Sequence, residues 1–144
     1  MRSNKNNHTA ILKHLRQDAR KSFSTMSRES SIPVTTVFDN YQKLQSDGII
    51  KKHASLLDFR KLGFFYRSFV FVKVKNQDEF LSFINTHQSV NSVFRIDVYD
   101  FLIDTVFPSI KEFYNFLDKV RDFDIEKLEC HDVIEHIKKE EFLS

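Results

Sequence analysis

Three observations predict an α+β chain. Apolar residues recur with a helical period through the first fifty positions, while strand-like runs rich in Val and Phe alternate with helical segments after residue 65. Only two Gly and two Pro interrupt the 144 residues, so connections are expected to be short. With 41% hydrophobic residues the chain can bury a core without disulfides or metal. It has 16 Phe and no Trp, which makes phenylalanine the main packing residue.

The first helix is expected over 7–20, NHTAILKHLRQDAR, where Ala10, Ile11, Leu12, Leu15 and Ala19 share a face and Asn7 or Thr9 can cap the start. A second, short helix follows over 25–30, capped by Ser22 or Ser24 and burying Met26. Ile32-Pro33 ends it, because the residue before proline disfavours helical angles. The third helix lies within VTTVFDNYQKLQSDGII (34–50), stacks Val37, Tyr41 and Leu44, and stops at Gly48, which can adopt the left-handed conformation. Ile49 and Ile50 then open a strand, and SLLDFRKLGFF (55–65) returns as its partner. Three short helices followed by such a strand pair make a winged helix-turn-helix.

YRSFVFVKVK (66–75) reads as a strand buried on both faces, with Ser68, Val70, Val72 and Val74 on one and Phe69 and Phe71 on the other. Residues 77–86 make a helix that turns Phe80, Leu81 and Ile84 inward, with Asn76 and Glu79 as a capping box. SVFRI (92–96) and FLIDTVF (101–107) are strands joined by Asp97-Val98-Tyr99-Asp100. Pro108 ends the second, and Ser109 to Glu112 is another capping box opening a helix that turns Ile110, Phe113, Leu117 and Val120 inward. A last strand lies in IEKLECHDVIEHI. The order is ferredoxin-like β-α-β-β-α-β, which leaves one sheet face without helices. Phe69 and Phe71 point to that face. Burying such rings is worth about 2 to 3 kcal/mol each, so an identical chain is expected to cover them in a two-fold dimer. The alternative is that the C-terminal segment folds back over them. The expected domains are 1–54, a linking strand over 55–65, and 66–144.

Net charge is +2, but its distribution is uneven: ten basic and four acidic residues lie up to Ser55, and 12 basic and 16 acidic after it. A basic half joined to an acidic half suits a nucleic-acid-binding module fused to a partner- or ligand-binding module. The single Cys130 has no partner for an internal disulfide, and no Cys/His spacing suits zinc. With no spanning stretch and no signal-like start, a cytoplasmic protein without cofactor or metal is expected.

Three segments carry a family resemblance. ILKHLRQDAR (11–20) matches the pattern I-L-x-x-L-x-x-D-[GA]-R, LQSDGII (44–50) matches L-x-x-x-G-[IV]-I, and LDFRKLG (57–63) matches L-D-x-x-K-L-G. In this order and spacing the chain resembles the Lrp/AsnC (feast/famine) family of transcriptional regulators over nearly its whole length. The resemblance implies a DNA-binding regulator that dimerises through its sheets and can assemble into tetramers or octamers. It also implies an amino-acid effector near a G-D-x-D loop, which here is Asp97, Val98, Tyr99 and Asp100. Only the final Asp of that pattern is kept, which favours an ordinary turn.

Phosphate contacts are expected from Arg20, Lys21, Arg28, Lys43, Lys51 and Lys52, with Arg2 and Lys5. Base contacts are expected from Thr35, Thr36 and Asn40 on the outer face of the third helix, because an asparagine amide pairs with adenine and a threonine methyl meets thymine. A·T pairs should therefore be preferred. Asp39 is expected to pair with Lys43 four residues on, and Phe38 to pack on the first helix. Two other readings remain. One is an architectural protein coating DNA with little sequence preference. The other is an enzyme like the siroheme decarboxylases, which resemble this family and use His and Arg, here represented by His87, His131, His136 and Arg95.

Overall fold

The computed structural model describes residues 2–144, with side chains from residue 4 onward. The Arg2 side chain therefore lies outside the described residues. The chain forms two units, one of residues up to Leu56 together with Ile137–Ser144, the other of Leu57–His136. The last residues thus group with the N-terminal unit and not with 66–144. Arg16 explains the return: its Nε donates to the Phe142 carbonyl at 2.8 Å and its guanidinium meets Glu140 at 3.3 Å.

The first unit holds α1 (Arg2–Gln17), α2 (Phe23–Ser30) and α3 (Val34–Ser46). Helix α1 begins and ends earlier than the periodicity predicts. Thr9 lies inside it and donates to the Lys5 carbonyl, so it caps nothing. The periodicity registers only the buried half of this helix, and the polar turns before it leave no apolar trace. At the other end Asp18 accepts from the Arg20 N–H at 2.9 Å, turning the chain and leaving Ala19 exposed. Ser22 caps α2 by accepting from the Thr25 N–H at 3.1 Å, as expected. Ile11, Met26, Ile32, Val37 and Leu44 are buried as the core, with Leu15, Phe23 and Ile50 packed against it.

Gly48, at φ +71, lets α3 end with two reverse bonds: Ile49 N–H to the Leu44 carbonyl and Gly48 N–H to that of Gln45, both 3.0 Å. The expected wing strands do not follow. Residues 51–58 have no regular structure and are exposed, Leu56 and Leu57 included. A lone strand pair with no apolar face to bury is marginal in water, and Leu56 and Leu57 stay more than half exposed.

The second unit carries a 3-10 turn (Arg60–Leu62), then β1 (Tyr66–Val74), α4 (Gln77–Thr86), β2 (Val90–Arg95), β3 (Phe101–Phe107), α5 (Ile110–Arg121) and β4 (Ile125–Asp132). The four strands are antiparallel in the order β2-β3-β1-β4. This is the β-α-β-β-α-β order read from the sequence. Val70, Val72 and Val74 meet Phe80 and Ile84 of α4 and Phe113, Phe116, Leu117 and Val120 of α5 in one core. Ile110 differs from expectation: at the first position of α5 it is 51% exposed, and Phe116 is buried in its stead. The buried hydroxyls are satisfied, since Thr105 donates to the Ser68 carbonyl at 2.7 Å and Ser68 to that of His131 at 3.1 Å.

His87 follows α4 and packs edgewise on Phe83 and Phe116, while its Nδ1 accepts the Ser89 N–H at 3.2 Å. Burial, then the charge of Lys119, pushes its pKa below the ordinary 6.5. The fold thus prefers the neutral ring: this stability is complete above the unfolded value and is lost as pH falls through the lowered folded one. His87→Gln cannot gain that proton, so its urea midpoint should fall less than the wild-type midpoint between neutral and mildly acid pH. Parallel slopes for the two proteins would show that His87 does not carry the effect.

Candidate nucleic-acid interface

The inward stripe of α3 decides which of its side chains can meet a ligand. Val37 and Leu44 are fully buried and Tyr41 is half-buried between them. Asn40 lies three residues after Val37 and four before Leu44, which places it on the same stripe. It is only 7% exposed, and its Nδ2 donates to the Thr36 carbonyl at 2.7 Å. The expectation that Asn40 faces outward is therefore corrected. Its spacing from both core residues fixes its place.

The residues opposite are Thr35, Asp39 and Gln42, all exposed, with half-buried Thr36 and exposed Lys43 beside them. Sequence reasoning misses Gln42, although it stands seven residues after Thr35 and three after Asp39. Asp39 and Lys43 form no ion pair among the described residues, so that expectation also fails. Phe38 is 46% exposed and its ring meets Phe23 of α2 edgewise at 5.8 Å.

Not every nearby cation is available. The Lys21 ammonium donates to Glu29 at 2.8 Å and lies 3.1 Å from His14 Nδ1, half-buried where α1 meets α2. The hydrogen bond from Lys21 holds the Glu29 carboxyl below the usual carboxylate range. Lys21 is thus an interhelical tie, which corrects its place among free phosphate-binding groups. Arg20, Arg28, Lys43, Lys51 and Lys52 are exposed, and Lys43, Lys51 and Lys52 enter no ion pair among the described residues. Of these, Lys43 lies on α3 itself, while Lys51 and Lys52 follow it in the chain.

In the second unit the expected effector loop is tightly engaged. The Asp100 carboxylate accepts from the Val74 N–H at 2.8 Å and from Gln77 Nε2 at 3.0 Å. Gln77 in turn accepts from Arg95. Left-handed backbone falls on Val98, at φ +65 and 74% exposed, and the Tyr99 N–H closes a tight turn onto Asp97. A β-branched residue there is strained. Tyr99 donates its hydroxyl proton to Glu129, which also binds His131 Nε2 at 2.6 Å. The His and Arg residues weighed for catalysis lie apart in separate contacts: His87 among rings, His131 on Glu129, Arg95 on Gln77 and over Phe101. His136 lines a different cavity, of about 370 Å³, at the base of β1. Among the described residues no group of three or more metal-ligating side chains could hold an ion. No helix among them is long and apolar enough to cross a membrane.

A three-helix unit whose third helix shows an exposed polar face, in a basic half of the chain, has the form of a DNA-binding helix-turn-helix. Residues 5–51 match the family model described as winged helix-turn-helix DNA-binding. The chain is 26% identical over 113 residues to the HTH-type transcriptional regulator FL11 of Pyrococcus horikoshii, covering 76% of this chain and 75% of that one. It is 32% identical over 88 residues to the HTH-type transcriptional regulator LrpC of Bacillus subtilis, covering 60% and 61% respectively. The solved LrpC structure superposes with a TM-score of 0.84 over 92% of this chain and 95% of that one, at 24% identity. An AsnC family transcriptional regulator from Agrobacterium tumefaciens gives 0.82 over 92% of each chain, at 21% identity. The chain thus carries a winged helix-turn-helix DNA-binding unit, is similar in sequence to HTH-type transcriptional regulators, and shares its fold with solved regulators of the Lrp/AsnC type.

Asn40→Ala should cost about 1 kcal/mol of unfolding free energy, the worth of its buried hydrogen bond, and leave DNA sequence preference unchanged. Urea unfolding and competition binding on paired duplexes would check both. A shifted preference with unchanged stability would return Asn40 to the base-reading face.

Proposed function

We propose that the chain is a transcriptional regulator of the Lrp/AsnC type that binds duplex DNA as a two-fold dimer, with α3 of each protomer in a major groove and most affinity drawn from phosphates. The observation that carries this reading is the outward face of α3: Thr35, Asp39 and Gln42 are exposed to reach base edges, and Arg20, Arg28, Lys43, Lys51 and Lys52 of the same unit are exposed to meet phosphates. A glutamine amide pairs with adenine as an asparagine does. The preference for A·T pairs stays, but its source moves from Asn40 to Gln42, with Thr35 and half-buried Thr36 offering methyls to thymine. Gln42→Ala should lose about 1 to 3 kcal/mol of discrimination at one position per half-site. Selection of bound genomic fragments by wild type and variant would check this.

The burial of Asn40 also favours a second reading, an architectural protein with little sequence preference, because it removes one of the few base-reading amides. Fragment selection returning no enriched motif would establish that reading over the first.

The dimer reading draws on the open sheet face. Phe71 of β1, Leu102 of β3 and Phe94 of β2 lie in one row across the sheet, with Phe69 and Asp104 in the next. Phe69 and Phe71 are half-buried, Phe71 against Tyr99 and His131, and Phe94 is 54% exposed. Ile134, just after β4, is itself 89% exposed, which supports a cover from outside this unit. A second copy supplies the missing cover, and tetramers or octamers would build on that pair. Phe94→Lys should convert a dimer to monomer in light scattering at micromolar protein. A monomeric wild type under the same conditions would remove the dimer. The occupied Asp100 carboxylate supports an unresponsive loop at 97–100, with no amino-acid effector bound there.

A further inference from the structure

Residues 51–54 keep a place beside α3 without a strand ladder. On one side Ile50 packs against the core of the first unit, and its N–H donates to the Leu44 carbonyl at 3.0 Å. Three residues later the His53 ring lies parallel to that of Tyr41, with centroids 6.1 Å and planes 5° apart. His53 Nε2 shares a 3.0 Å hydrogen bond with the Tyr41 hydroxyl, which also accepts from Gln45 Nε2 at 2.9 Å. The Tyr41 ring rests in turn on Phe23, 5.0 Å away. Lys51 and Lys52 stand between these two anchors, exposed and in no ion pair among the described residues.

This arrangement does little for the core. Tyr41 needs only its ring to pack on Phe23, and His53 is exposed, so their contact buries little apolar surface. Its effect is to fix a short basic stretch whose backbone makes no hydrogen bond over 51–54 among the described residues. We propose that Tyr41 and His53 are positioning residues for DNA: they hold Lys51 and Lys52 beside α3 so that both ammoniums meet phosphates flanking the groove α3 enters. The pair thereby takes the place of a wing's strand ladder. Chain entropy that binding would otherwise have to remove is removed beforehand. The inference rests on the DNA-binding reading of the first unit.

The test uses the full-length protein, a mixed-sequence duplex and a salt titration of affinity. Lys51→Ala with Lys52→Ala should lower the slope of log affinity against log salt by about 0.9 for each phosphate that is no longer neutralised. His53→Ala and Tyr41→Phe should move affinity and slope toward that variant while helix content by circular dichroism stays at wild type. Adding His53→Ala to the lysine-pair variant should change nothing further, which a merely structural role would not produce. The proposal is overturned if His53→Ala keeps wild-type affinity and slope, or weakens binding equally without the lysines. It is also overturned if the lysine-pair variant keeps the full slope, in which case DNA binding stands and only the positioning fails. A wild type that binds no duplex would overturn both readings together.

Discussion

The rotation of α3 about its own axis is the constraint on which the DNA-facing surface depends. Val37, Asn40, Tyr41 and Leu44 together form its inward stripe, and two of the four carry polar groups. Asn40 solves its problem locally by returning its amide to the Thr36 carbonyl, so burial leaves no unpaired donor on that side. Tyr41 solves it at the edge, keeping its ring on Phe23 and its hydroxyl on Gln45 and His53. A rotation by one residue's step, about 100°, would expose these apolar contacts and bury Asp39 or Lys43 unpaired. The helix is therefore locked by chemistry on both rims of its stripe. What it shows to DNA follows from what it has to hide.

The same logic of alternate faces organises the second unit, with period two in place of 3.6. Central β1 pairs with both β3 and β4, so every residue of its inner row faces helices and every residue of its outer row faces the open side. That outer row begins with Arg67, whose guanidinium grips buried Asp104 through Nε at 2.8 Å and Nη2 at 2.5 Å. Asn91 adds a third hydrogen bond to the same carboxylate at 2.8 Å. A charge only 5% exposed is tolerable because its lone pairs are filled. An open face with Phe94, Leu102 and Phe71 in one row and a satisfied charge pair beside them suits a specific interface better than a greasy patch. In the proposed dimer the apolar row would supply the drive and the ion pair would penalise misregistered copies.

The order of elements and most of the core are legible in the sequence, because both rest on period and on capping residues. Alternation places Val70, Val72, Val74 and Phe80, while Ser22, Asn76 and Gly48 are placed by the backbone groups they satisfy or the dihedrals they allow. The wing is not legible in the residues; it follows only from the usual order of elements, and the exposed 51–58 segment shows the limit of that. Ile110 escapes for a related reason, since the first residue of a helix has only half a turn to anchor it. Asn40 and Gln42 are misread when chemistry outranks geometry: a short amide suggests adenine, although its spacing from Val37 and Leu44 puts it inside. Lys21 is hidden more deeply. Its partner Glu29 lies eight residues on, across a turn, and no helical period connects them.

That last case bears on how much DNA affinity a basic half supplies. The excess of positive charge up to Ser55 counts Lys21 and Arg16 as available, yet one is tied to Glu29 and the other to Glu140. What remains is a modest set of exposed cations, two of them on a segment that His53 and Ile50 tie to the first unit. Few phosphates and few base edges per protomer make one helix-turn-helix a weak binder. Joining two of them converts the second docking into an intramolecular event, with an effective concentration that can exceed free protein by orders of magnitude. The proposed sheet interface in the acidic unit thus answers a deficit in the basic one. In that proposal, affinity that α3 and its lysines do not supply singly would come from holding two copies at one site.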